Sequence, residues 1–166
     1  MYIWVIMDVE NLNTQLLSQL TIPTAGFEGG VAEPLPVYGV LLQNKTLMAS
    51  TVKQGVPYTF YEVVRSFMPF TEIEWADILN VSTKSLQRFK QMNKIFKSNQ
   101  SEKIMQMAEV THHGLETFGD LGRFTQWLQT PNYALGNVTP KSMLANAYGK
   151  DLVMAEIHRI NYGILS

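Results

Sequence analysis

Trp127-Leu128-Gln129-Thr130-Pro131-Asn132-Tyr133-Ala134-Leu135-Gly136, followed by Thr139-Pro140, is the stretch that decides the fold. Pro131 cannot continue a helix, so the helix carrying Trp127 and Leu128 stops just before it. Thr139 can cap a new helix, with Pro140 at its first position. Gly136, Gly149 and Gly163 read as backbone punctuation between short elements. Helix ends packed this tightly imply a compact helical shape, suited to being gripped by another protein.

The helical reading extends upstream. Asp120 caps a helix over 121–129, and Gly119 ends a long one that Ser101 opens. Ile104, Met107, Ala108, Thr111, Leu115 and Phe118 form a stripe along it. Residues 94–100 are polar and read as a connection. Ser82 caps 83–92. Thr71 and Glu74 form a capping box for 72–79, with Asn80 suited to the left-handed turn after it. Pro57 opens a helix from 58 to about 68. Asn44 caps 45–54, which Gly55 ends. The last helix spans 150–162 and turns Val153, Ile157 and Ile160 inward. Residues 1–43 are hard to read. Ile3, Val5 and Val9 suit a short strand, and the prolines and glycines of 21–36 read as loop. Met7 can serve as an alternative start. The expected fold is therefore all-α: a helix-turn-helix unit over 44–100, a compact helical unit over 101–166, and a loop-rich N-terminal extension.

Composition sets the bounds. The chain has 166 residues, 46% apolar and 16% charged, with net charge −1. That suffices for a core in one domain or two small ones. It excludes a general polycation, so nucleic-acid affinity must come from a local patch. No cysteine is present, which rules out disulfides and thiolate zinc sites and fits the cytoplasm. No apolar run approaches the ~20 residues of a membrane span.

One local patch exists. With Ala76 as the small residue between two helices, Trp75, Leu79, Val81, Leu86 and Phe89 fill the apolar offsets of a helix-turn-helix. The second helix would enter the major groove by Ser82, Thr83, Lys84, Ser85, Gln87 and Arg88, with Lys90 toward phosphates. Lys84, Arg88, Lys90, Lys94 and Lys97 bring no acid with them, whereas Glu72, Glu74 and Asp77 lie on the first helix. A plain helical hairpin with a solvated basic face is the competing description. One such motif reads few base pairs, so specific binding to operator DNA calls for a homodimer.

Residues 48–166 resemble the Xre/MbcA/ParS antitoxins of bacterial toxin–antitoxin pairs. Gly55-Val56-Pro57 is similar to that family's lead into its helix-turn-helix. Leu79 to Arg88 resembles its turn and recognition helix. Phe118-Gly119-Asp120, then Trp127, Leu128, Pro131, Leu135, Gly136 and Pro140, resemble its toxin-binding motif in order and spacing. The resemblance implies a partner toxin with a RES domain that consumes NAD, covered at its active site, and repression of the operon through DNA. It also implies toxin contacts from Arg159, Tyr162, Gly163 and Ile164 at the C-terminal end. Leu165 and Ser166 complete an exposed tail. Asn146 stands where the family often has threonine, and Ala147-Tyr148 replaces a more polar pair.

The residues themselves leave room for other roles. Trp127 and Leu128 suit core anchors better than direct contacts. Arg159 suits an internal ion pair or an interface equally well. His112 and Glu116, one helical turn apart, can bring two metal ligands together. A third ligand is not visible and His158 is distant in sequence, so neither metal nor cofactor is expected. No phosphate loop or nucleophile elbow points to an enzyme. The alternative function is a stand-alone helix-turn-helix regulator, which requires a ligand pocket among residues 101–166.

Overall fold

The computed structural model describes residues 12, 14–16, 18, 19 and 40–163. The strand expected near Ile3, the loop of 21–36, Met7 and the tail Ile164-Leu165-Ser166 lie outside the described residues. Among those described, the secondary structure is helical, with two isolated β-bridges and no strand. The elements are α1 (Val40–Gln43), α2 (Lys45–Gln54), α3 (Tyr58–Phe67), α4 (Glu72–Leu79), α5 (Thr83–Met92), α6 (Ser98–Phe118), α7 (Leu121–Gln129), α8 (Pro140–Met143) and α9 (Ala147–Asn161). A single 3-10 turn, Tyr133–Leu135, sits between α7 and α8.

Local capping chemistry sets most of these boundaries. The Asn44 side chain accepts from the Leu47 amide, and the Asp120 carboxylate from the Arg123 amide. Thr71 and Glu74 form the reciprocal capping box at α4. Each such cap is worth about 1 kcal/mol. Asn80 and Asn93 close α4 and α5 in the left-handed conformation.

α6 is the central element. It packs against α2, α3, α4, α7 and α9. Ile104, Met105, Met107, Ala108, Val110 and Leu115 are buried along it. The same core takes in Leu12, Leu16, Leu41 and Leu42. Part of the segment expected to be a loop-rich extension therefore helps to bury the domain, with leucines at helical spacing.

Two expectations about helix starts are corrected. α6 begins at Ser98, so residues 98–100 belong to a helix and not to a connection. The Gln100 side chain accepts from the Lys97 amide and closes the first turn. Ser101 is no cap. Its buried hydroxyl accepts from the Val56 amide and donates to the Phe96 carbonyl, bridging α6 to the segment before α3. α9 likewise begins at Ala147, where the Asn146 side chain caps the Gly149 amide.

That earlier start changes the role of Gly149. It lies inside the first turn of α9 and is not a left-handed stop. A Cβ there would come within 2.0 Å of the Met143 carbonyl oxygen. Gly136, by contrast, has φ +80° and open space around it. Gly149→Ala should destabilise the chain by about 3 kcal/mol through a backbone collision. Gly136→Ala should cost about 1 kcal/mol, from conformation alone. Urea denaturation of both variants measures the difference, and equal costs would contradict this distinction.

Candidate functional site

The basic surface is built on α5. Trp75, Ala76, Leu79, Leu86 and Phe89 are buried, and Val81 is half-buried, so α4 and α5 pack through the offsets read from the sequence. Asn80, Val81 and Ser82 form the turn. The Val81 amide donates to the Ala76 carbonyl at 2.9 Å. The Ser82 hydroxyl caps the Ser85 amide. This leaves Ser82, Lys84, Gln87 and Arg88 exposed, with Thr83 and Ser85 half-buried at the helix start. Gln87 leans toward Glu72 at 3.4 Å. Lys90 pairs with Glu62 of α3 at 3.5 Å, and Lys94 lies over the Phe89 ring. Lys84 and Arg88, one turn apart on the same face, have no ion-pair partner among the described residues.

The second surface is built on the loop after α7 and on α9. Leu128 and Pro140 are buried, while Trp127 and Leu135 are half-buried against the core. The Trp127 ring lies 5.0 Å from that of Phe118. Pro131 and Gly136 are exposed and shape the loop without filling it. Asn132, which sequence reasoning treated as one motif letter among many, is the hub. Its amide donates to the Val138 carbonyl at 3.0 Å, and its carbonyl accepts from the Asn137 amide. Its side chain caps the Ala134 amide and donates to the Glu156 carboxylate at 3.2 Å.

Glu156 is buried and also receives both ends of Arg159, at 2.8 and 2.7 Å. The Arg159 hydrogen bonds outweigh burial and hold the Glu156 carboxyl below its usual range, with help from Asn132. Arg159 forms an ion pair within the chain. Its guanidinium orients the loop by way of Glu156 and Asn132.

The outer face of α9 was not legible in advance. Tyr148 is 85% exposed, Leu152 53% and Tyr162 77%. Ala155 is exposed beside them. At 3.6 residues per turn these positions fall within a sector of about 80°. The opposite face buries Val153, Met154 and Ile157 against the core. Tyr133, on the neighbouring loop, is 86% exposed. Among the described residues, α9 thus buries one face and on the other exposes Tyr148, Leu152 and Ala155, with the paired Arg159 in the same sector and Tyr162 just past the helix end. The departure at Tyr148 and the off-phase Leu152 were the signals that could have located it.

A cleft of about 450 Å³ lies at the seam of α4 and α8, lined by Phe70, Glu74, Ile78, Lys141 and Ser142 among others. The Lys141–Glu74 ion pair, at 2.7 Å, joins the same two helices. This cleft is shared between the two halves, so it differs from the pocket within residues 101–166 that a ligand-sensing regulator requires. No helix of the described residues is long and apolar enough to cross a membrane.

Comparison with known proteins identifies this architecture. Residues 113–163 match the model of the antitoxin Xre/MbcA/ParS C-terminal toxin-binding domain. An "Antitoxin Xre" of Photorhabdus laumondii subsp. laumondii is 30% identical over 116 residues, covering 69% of this chain and 78% of that protein. The chain belongs to the Xre/MbcA/ParS antitoxin family. An "Antitoxin Xre" of Yersinia enterocolitica is 27% identical over 132 residues, covering 77% of this chain and 87% of that protein. Membership places the chain among binding proteins and not among enzymes. The matched segment runs from His113 to Gly163 and so includes the Asn132 loop and all of α9.

Arg159→Ala should leave Glu156 with one partner fewer and lower the urea midpoint at neutral pH. The folded Glu156 carboxyl lies below its ordinary value of 4.5. Its contribution is therefore full above about pH 4.5 and is lost as pH falls through the lower folded value. Urea midpoints of both proteins between pH 7 and pH 3 should converge toward the acid end, and a constant gap would refute the pairing.

Proposed function

We propose that this chain is the antitoxin of a type II toxin–antitoxin pair, with two separable surfaces. Residues 101–166 cover the active site of a RES-domain, NAD-consuming toxin. Residues 44–100 bind operator DNA through α5 and repress the operon. The complex works in the cytoplasm, with the antitoxin as a homodimer within the hetero-oligomer.

The observation that carries the toxin arm is the uncovered stripe Tyr148, Leu152, Ala155 and Tyr162 on a helix inside the matched domain. Exposed tyrosines give large contact area at low entropic cost, as partner-binding surfaces favour. Tyr162 and Gly163 end this stripe, and Ile164, Leu165 and Ser166 continue from it in sequence. A stable interface of this kind buries about 1,200–2,000 Å². The DNA arm rests on Lys84 and Arg88, two cations free of acidic partners at the start of an exposed helix. Ser82, Thr83, Ser85 and Gln87 supply the neutral hydrogen-bonding groups beside them. Lys90, shared with Glu62, would contribute less.

Co-expression with the neighbouring gene tests the whole. A neighbour that is harmless alone, or that fails to co-purify, would rule out the pairing. Leu152→Asp with Tyr148→Ala should weaken toxin association at least 100-fold without lowering the melting temperature. Deleting residues 160–166 should abolish neutralisation and spare operator binding. Lys84→Ala with Arg88→Ala should do the reverse and reduce the salt slope of operator binding by about 2. Loss of both activities from either surface would show that the two are not separable.

A further inference from the structure

The chain has three histidines, and the fold brings them to one place. His112 and His113 lie near the end of α6. His158 lies on α9, and its ring centroid is 5.2 Å from that of His113 at 86°. One carboxylate serves the first two. Glu116 Oε1 is 3.3 Å from His112 Nε2, and Oε2 is 3.2 Å from His113 Nδ1. The three ligand atoms lie within 4.8 Å of one another. We propose that His112, His113 and Glu116 form a site for a divalent transition-metal ion of the zinc class, and that His158 of α9, whose ring packs on His113, moves in as a fourth ligand.

The donor chemistry decides the class of ion. Imidazole nitrogens with one carboxylate suit Zn²⁺, Co²⁺ or Ni²⁺, whereas Mg²⁺ and Ca²⁺ need a shell of oxygens. The spacing agrees. Bonds of about 2.0–2.1 Å in a tetrahedral shell put neighbouring ligand atoms about 3.3 Å apart. Glu116 faces His112 with one oxygen and His113 with the other, so binding through a single oxygen needs Glu116 and His113 to shift, and both are at least partly exposed. Helical spacing supplies the scaffold, since 112 and 116 stand four residues apart and 113 and 116 three.

The surroundings support reversible binding. His112 is buried and holds one wall. Glu116 and His158 are exposed and form the mouth, so an ion has a path in. A histidine that merely fills a core needs one acceptor for its ring proton. Here one carboxylate is shared by two rings and a third ring closes the side. A bound ion would fasten α9 to α6, and so stiffen the helix that carries Tyr148 and Leu152. The site itself is argued from the cluster alone and does not depend on the toxin.

The test uses the full chain, freed of any affinity tag and treated with EDTA. Titration with ZnCl₂ by calorimetry should give one saturable site per chain. ZnCl₂ should raise the melting temperature, and MgCl₂ at equal concentration should not. CoCl₂ should give visible absorption bands of a four- or five-coordinate ion. His113→Ala and Glu116→Gln are surface changes, and circular dichroism of the metal-free variants checks their folding. Each should weaken zinc binding at least tenfold, and His158→Ala should do the same. Absence of saturable zinc binding would overturn the site, as would equal affinity in His113→Ala and Glu116→Gln. Unchanged affinity in His158→Ala alone would overturn the cross-link between α6 and α9.

Discussion

Everything in this molecule leans on the burial of α6. A helix that is apolar around most of its circumference must be covered on several sides. α2, α3, α4, α7 and α9 all pack on it. Several polar groups that it takes into the interior are held by partners. Thr111 donates to the Met107 carbonyl, and Ser101 bridges two backbone segments. Glu109 is buried and held by Lys150 of α9 and Lys45 of α2. Burial pushes the Glu109 carboxyl up, yet the two lysines outweigh it and leave its pKa below the ordinary value. It stays charged in the folded chain because both cations are fixed beside it.

This arrangement ties the basic surface to the α9 surface without merging them. Glu109 of the central helix holds Lys45 of α2 and Lys150 of α9 together, and Glu74 links α4 to α8 through Lys141. Both bridges run between the part of the chain that carries α5 and the part that carries the Asn132 loop. Lys84 and Arg88 take part in neither bridge and are exposed, as are Tyr148, Leu152 and Tyr162. Here one face of α9 supplies the core and the opposite face remains available.

The Asn132 loop shows how a short motif acquires its shape. Pro131 ends a helix and Gly136 supplies a positive φ, but neither touches the core. The loop is held by Asn132, which reaches across to Glu156, and by Arg159, which neutralises that carboxylate. Residues far apart in the chain therefore share one small network of charge-assisted hydrogen bonds. Trp127 and Leu135 close it from the apolar side.

The amino-acid sequence by itself determined the all-helical class and the bounds of α2, α4, α5 and α7. The reason is local: a cap and the amide it satisfies lie three residues apart, so both are visible in one window. The packing of α4 on α5 was legible too, because its apolar offsets are fixed by helical geometry. Tertiary structure alone decided the rest. Ser101 looks like a cap and serves as a buried bridge, because its partners are Val56 and Phe96. Gly149 looks like a stop and is a point of close approach, because Met143 lies against it. Arg159 pairs with Glu156, which in turn holds Asn132, because α9 lies against the loop. His158 stands 45 positions after His113 in the chain, and only the packing of α9 on α6 sets their rings side by side. Such contacts depend on which faces of distant helices meet, and no short window of residues contains that information.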